Sequence, residues 1–156
     1  MSILDKTYKQ NTCSTNIDTL QEEICNILKL KDCYIEGNVL YIRSDKTVTF
    51  GGYEMGVLLR EDGILNGLIK RIHVDSPVIL RVNSDFNFDK NVQFKSDYSV
   101  IMDNSTSCHK VIRNINMICT TIFCGNLINI LSGKIECGAT CFSNDCGFDN
   151  VEIKHI

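Results

Sequence analysis

Residues 107–125 read SCHKVIRNINMICTTIFCG, and their assignment to helix or strand decides the fold. Val111, Ile112, Ile115, Ile118, Cys119, Ile122 and Phe123 follow the i, i+1, i+4, i+7, i+8 pattern of one helix face. Strict alternation fails, because Asn114 and Asn116 would then share a face with Ile112, Ile118 and Ile122. Ser107 suits an N-cap and Gly125 a C-terminal stop. The spacing predicts a helix over 107–125, with Cys119 facing a sheet, although Ile, Asn and Thr are mediocre helix formers.

Working towards the N-terminus, a second helix is predicted over 17–29. Ile17, Leu20, Ile24, Ile27 and Leu28 form its apolar stripe. Residues 1–16 are polar and read as a flexible arm. Gly37-Asn38 separates two β-rich runs, 33–36 and 39–43, and signals a hairpin. Strands are expected at 47–50, 53–60, 78–82, 92–94 and 98–102. Residues 64–73 have helical apolar spacing interrupted by Asn66-Gly67, and the helical reading is preferred. Towards the C-terminus, 127–131 and 134–137 read as a second hairpin about Ser132-Gly133, and 151–156 as a closing strand.

Together these elements predict a single α+β domain over 17–156, a mainly antiparallel sheet covered on one face by two or three helices. A chain of 156 residues buries roughly two thirds of its unfolded surface and needs no covalent staple. Twenty Ile and fifteen Asn stand against one Ala, one Pro and no Trp. That skew matches AT-rich codons, as in the genome of a large DNA virus, a phage, a protist or a low-GC bacterium, and builds a β-branched core.

A net charge of −3 and a pI near 5.6 give no electrostatic basis for nucleic acid. No polybasic patch or long apolar run points to a membrane. The N-terminus lacks the apolar core of a signal peptide. Nine cysteines without such a signal are expected to be free thiols in the reducing cytoplasm. Asn104-Ser105-Thr106 is a glycosylation sequon, expected to be unused.

The chemistry-bearing candidates centre on cysteine. Cys137, Cys141 and Cys146 lie within ten residues, and His109 is a further zinc donor for a tetrahedral site. No C-x2-C pair is present, and Cys119 and Cys124 on one helix would diverge by about 140°. The plainer reading is small buried thiols in the core. Cys108 beside His109 does not make a nucleophile–base dyad, since adjacent side chains point apart.

Asp85, Asn87 and Asp89 resemble the start of a calcium loop, but Lys90 and Ser96 replace the Gly and Glu that loop needs. An exposed turn anchored by Phe86 and Phe88 is preferred. Gly51-Gly52-x3-Gly56 lacks the Lys-Ser/Thr of a phosphate loop and reads as a turn or bulge. No catalytic constellation emerges. The sequence therefore predicts a non-enzymatic intracellular protein-binding adaptor, acting on a protein partner (a host protein in the host cytoplasm, if the source is viral) or by self-association as a homodimer. A zinc-stabilised module and a thiol-dependent enzyme are the alternatives.

Overall fold

The computed structural model describes residues 17–28, 32–60, 63, 65, 67–125, 127–141 and 146–156. The expected arm at 1–16 lies outside the described residues. In chain order the elements are α1 (Ile17–Leu28), β1 (Cys33–Glu36), β2 (Val39–Arg43), β3 (Val48–Gly51), α2 (Gly52–Leu59), β4 (Arg71–Asp75), β5 (Val78–Arg81), β6 (Gln93–Ser96), β7 (Ser99–Asp103), β8 (Lys110–Ile112), β9 (Ile115–Cys124), β10 (Ile128–Cys141) and β11 (Cys146–His155).

The predicted antiparallel α+β sheet is overturned. The protein is mostly β, a solenoid-like arrangement with two small helices. Among the described strands only the β1–β2 pair is antiparallel. The chain winds through three parallel ladders. The first runs β2, β4, β6, the first half of β9, the middle of β10 and the second half of β11. The second runs β3, β5, β7, the second half of β9 and the end of β10. The third begins at Phe86 and continues through β8 and the starts of β10 and β11.

Residues 107–125 are therefore not a helix but a corner, β8 and β9. Their inward side chains are Ile112, Ile115, Met117, Cys119, Ile122 and Cys124, all buried. Within each straight segment these alternate with period two. At each corner the step lengthens to three, from 112 to 115 and from 119 to 122. Corners inserted into an alternating pattern imitate helical spacing, and this produced the wrong assignment.

Three other departures accompany it. The predicted strand at 53–60 lies in α2, where Met55, Leu58 and Leu59 are buried at helical spacing. The predicted helix at 64–73 is one turn, with Leu68 and Ile69 N–H donating to the Leu65 carbonyl, followed by β4. The predicted hairpin about Ser132-Gly133 is a single long strand, β10, bending at a corner where Gly133 has φ of 134°. The first hairpin is present as read: β1 and β2 pair antiparallel about Gly37, which has φ of 62°.

In-register stacking puts like on like inside the coils. Leu40, Ile72, Phe94, Met117 and Ile135 form one buried column, and Phe50, Leu80, Met102 and Cys124 another. Each large side chain so buried contributes about 1.5–3 kcal/mol. The corners are held by polar side chains. Ser96 Oγ donates to the Ser76 carbonyl at 2.8 Å, and Asn114 Nδ2 donates to the Phe88 carbonyl at 3.0 Å. Asn104, 1% exposed, donates to the carbonyls of Cys108 and Leu127 at 2.6 and 3.1 Å. These uses give the many Asn and Ser residues a structural role.

One end of the first ladder is closed by β1 and α1. Gln21 Oε1 accepts from Ile35 N–H at 2.8 Å, and a Cys25–Cys33 disulfide ties helix to strand. A second disulfide, Cys124–Cys146, joins neighbouring coils. The expectation of nine free thiols is thereby corrected.

Candidate functional site

Parallel registration also stacks the outward-facing side chains. Tyr34 of β1, Tyr41 of β2, His73 of β4 and Lys95 of β6 occupy one register position and form a row across the first ladder. Neighbouring strands lie about 4.8 Å apart, so side chains in such a row touch. The Tyr34 and Tyr41 rings stack at 5.1 Å and 17°, and His73 tilts against Tyr41 at 5.6 Å. The Arg43 guanidinium lies 5.8 Å above the Tyr34 ring.

The row turns polar at the corner after β6. Asp97 Oδ2 accepts from His73 Nε2 at 2.8 Å, which fixes a hydrogen on that nitrogen. Lys95 Nζ lies 3.8 Å from the other Asp97 oxygen. In the adjacent row, Arg71 Nε donates to Gln93 Oε1 at 3.0 Å. Arg43 registers with Asp75 on the far side. The surface thus interleaves aromatic rings, three cations and two carboxylates, all half-buried or exposed.

Beyond Asp97 a groove of about 290 Å³ is bounded by Lys95, Asp97, Ile118, Thr120, Gly138 and Ile156, with Cys119 in its wall. Burial pushes the Cys119 thiol up to about 12, because a thiolate there would be desolvated. Cys119 is accordingly a neutral thiol at physiological pH and a poor nucleophile. The other free described thiol, Cys108, is exposed on the corner before β8.

The cysteine candidates separate in space and in chemistry. Cys146 is bonded to Cys124 and starts the last strand of the third ladder. Cys137 points into the core from the first ladder and is itself disulfide-bonded. The Cys141 side chain lies outside the described residues. His109 is exposed beside Cys108 at the opening of the third ladder. Among the described residues no three His, Cys, Asp or Glu side chains converge on a metal-sized site.

The calcium-like loop uses its carboxylates locally. Asp85 Oδ1 accepts from Val111 N–H at 2.9 Å and Asp89 Oδ1 from Asn91 N–H at 2.8 Å. Phe86 and Phe88 are buried, as preferred from sequence. The glycine motif is not the expected turn or bulge in a sheet but joins β3 to α2, and a Cβ on Gly56 would stand 3.1 Å from the Phe86 Cβ, so close packing accounts for that glycine.

Sequence reasoning missed Tyr34, Tyr41, Arg43, His73, Lys95 and Asp97 as a group. Tyr41, His73 and Lys95 are scattered along the chain and meet only through the ladder register. The one available signal was the Ser/Asp pair at or just after the end of successive first-ladder strands: Ser44-Asp45, Asp75-Ser76 and Ser96-Asp97. It marks the corners.

Compared with protein-family models, with curated proteins and with solved structures, the chain finds no match in any of the three. Among the described residues no helix is long and apolar enough to cross a membrane.

Proposed function

We propose that this protein is a non-enzymatic binding module that docks a protein partner on the outward face of the first ladder. The observation that carries the reading is the Tyr34–Tyr41–His73 row flanked by Arg43 and Arg71. Tyr and Arg are the residue types that dominate the energetic centres of protein interfaces. Charges of both signs interleave here, which matches the mixed surface of a protein better than a polyanion. A sugar would need an open ring face to stack on. Tyr34 and Tyr41 cover one another, leaving ring edges and hydroxyls for contact.

Cys119, buried and neutral, gives the thiol-enzyme alternative no nucleophile. The zinc alternative is disfavoured by the engagement of Cys137 and Cys146 in disulfides. No location is carried over from the sequence either. Cytoplasmic placement rests on the missing signal peptide, and the free thiols expected of a reducing compartment are not what Cys25, Cys33, Cys124 and Cys146 form, since they are paired.

The test is comparative capture from an extract of the protein's own source. Wild-type protein, a Tyr34→Ala/Arg43→Ala variant and a Thr49→Ala control on the second ladder are immobilised in parallel. A partner retained by wild type and control but lost by the double variant supports the reading. Three identical capture profiles contradict it.

A further inference from the structure

The second half of β11 presents an edge that is unpaired among the described residues: it bonds to β10 on one side only. The direction of its backbone groups follows from one hydrogen bond. Ile156 N–H donates to the Cys137 carbonyl at 2.8 Å, while Cys137 registers with His155. Along a parallel strand the backbone groups alternate in direction. Residues 152, 154 and 156 therefore turn their N–H and C=O groups to β10. Val151, Ile153 and His155 turn theirs to the open edge.

We infer that this edge is a self-pairing surface, on which a second copy's β11 adds antiparallel about a two-fold axis through Ile153. The partner is chosen by charge. Edge-facing residues must oppose edge-facing residues, so few symmetric registers are allowed. Centring on Glu152 opposes glutamate to glutamate, and centring on Lys154 opposes lysine to lysine. Centring on Val151 leaves both charges without an opposite. Centring on Ile153 opposes Glu152 to Lys154 of the second copy, twice by symmetry, and Val151 to His155.

The outward rows then continue the alternation already present within one chain. Lys134 registers with Glu152, and Glu136 with Lys154. Pairing extends these to Lys134–Glu152–Lys154–Glu136 across the two copies. The inward side covers Ile153, which is 38% exposed in the single chain. Such pairing removes the unpaired strand edge, a known association hazard, in a closed form that does not propagate. It is independent of the aromatic row, which lies at the other end of the ladder.

The test is sedimentation equilibrium of the 156-residue chain with two single variants. Wild type is expected to dimerise. Glu152→Lys and Lys154→Glu each place like charges opposite one another twice, and each is expected to weaken the dimer about tenfold or more. Mixing the two variants restores opposite charges at both pairs, so the mixture is expected to regain wild-type affinity as a heterodimer. Ile153→Cys gives an independent readout: on the axis its thiol meets its own copy and cross-links the dimer under mild oxidant. Monomeric wild type across the micromolar range overturns the inference. So does a dimer indifferent to both variants, or a mixture that fails to recover.

Discussion

Gly133 of β10 lies directly against the backbone of Ile115 in β9, its register partner on the next coil. A Cβ on Gly133 would collide with the Ile115 carbonyl oxygen, and φ of 134° is a conformation that L side chains rarely adopt. Close approach at this corner lets β10 pass from the third ladder to the first without a break.

Gly133→Ala is therefore expected to destabilise the fold by about 3 kcal/mol or more, through strain and overpacking together. Gly37→Ala is the comparison. Gly37 also has positive φ, but nothing lies within 4 Å of its added Cβ, so its cost is confined to about 1 kcal/mol of backbone strain. Urea denaturation of both variants checks the difference. Equal costs would contradict the coil-to-coil contact.

The Cys25–Cys33 and Cys124–Cys146 disulfides give a second prediction. Cys25–Cys33 spans 8 residues and Cys124–Cys146 spans 22, so loop-closure entropy assigns each about 2–4 kcal/mol. Peptide mapping without reduction is expected to recover both pairs. Adding a reductant is expected to lower the melting temperature, and Cys124→Ala/Cys146→Ala to reproduce most of its share. An unchanged melting temperature under full reduction would remove the staples from the account.

Cys119 provides a pH dependence. Its folded-state value near 12 exceeds the ordinary 9.0, so the fold is favoured while the thiol stays neutral. Below pH 9 the term is fully present. As pH rises above 9, the unfolded chain ionises and the folded chain does not, so each unit weakens the fold by about 1.4 kcal/mol until pH reaches about 12. Cys119→Ala is expected to have a shallower alkaline slope than wild type in urea denaturation. In native protein iodoacetamide is expected to label Cys108 and to spare Cys119.

Asn104 supports the corner that precedes β8. Its side chain donates to Cys108 and Leu127 carbonyls, while its carbonyl oxygen accepts from the N–H and hydroxyl of Thr106. Asn104→Ala is expected to cost about 1–3 kcal/mol, because it removes the two hydrogen bonds donated by a side chain that is 1% exposed. The same burial closes the sequon: expression in a secreting host is expected to yield no glycan at Asn104, by intact mass.

Legibility in the sequence was uneven, for physical reasons. α1 and the β1–β2 hairpin were readable because their signals are local: an apolar stripe in one case, Gly37 in the other. The later strands were found as strands at 78–82, 92–94 and 98–102, but their pairing was not. Antiparallel pairing was inferred from short connections, whereas a solenoid joins parallel strands through corners rather than crossover helices. Residues 107–125 failed because corner steps of three between alternating segments look helical. The aromatic row was invisible for a related reason, since Tyr41, His73 and Lys95 are neighbours only in the ladder. The cysteines were visible as a cluster in sequence, yet their pairing depended on which coils stack.

The most direct test of the proposed binding face is photo-cross-linking from position 43. Arg43 is exposed and lies over Tyr34, so a benzophenone side chain there reaches whatever covers the row. The account predicts one protein cross-linked from position 43, absent when the probe sits at Thr49 on the second ladder, and lost when Tyr34→Ala and Tyr41→Ala are added. The same products from both positions, or none from position 43, would contradict it.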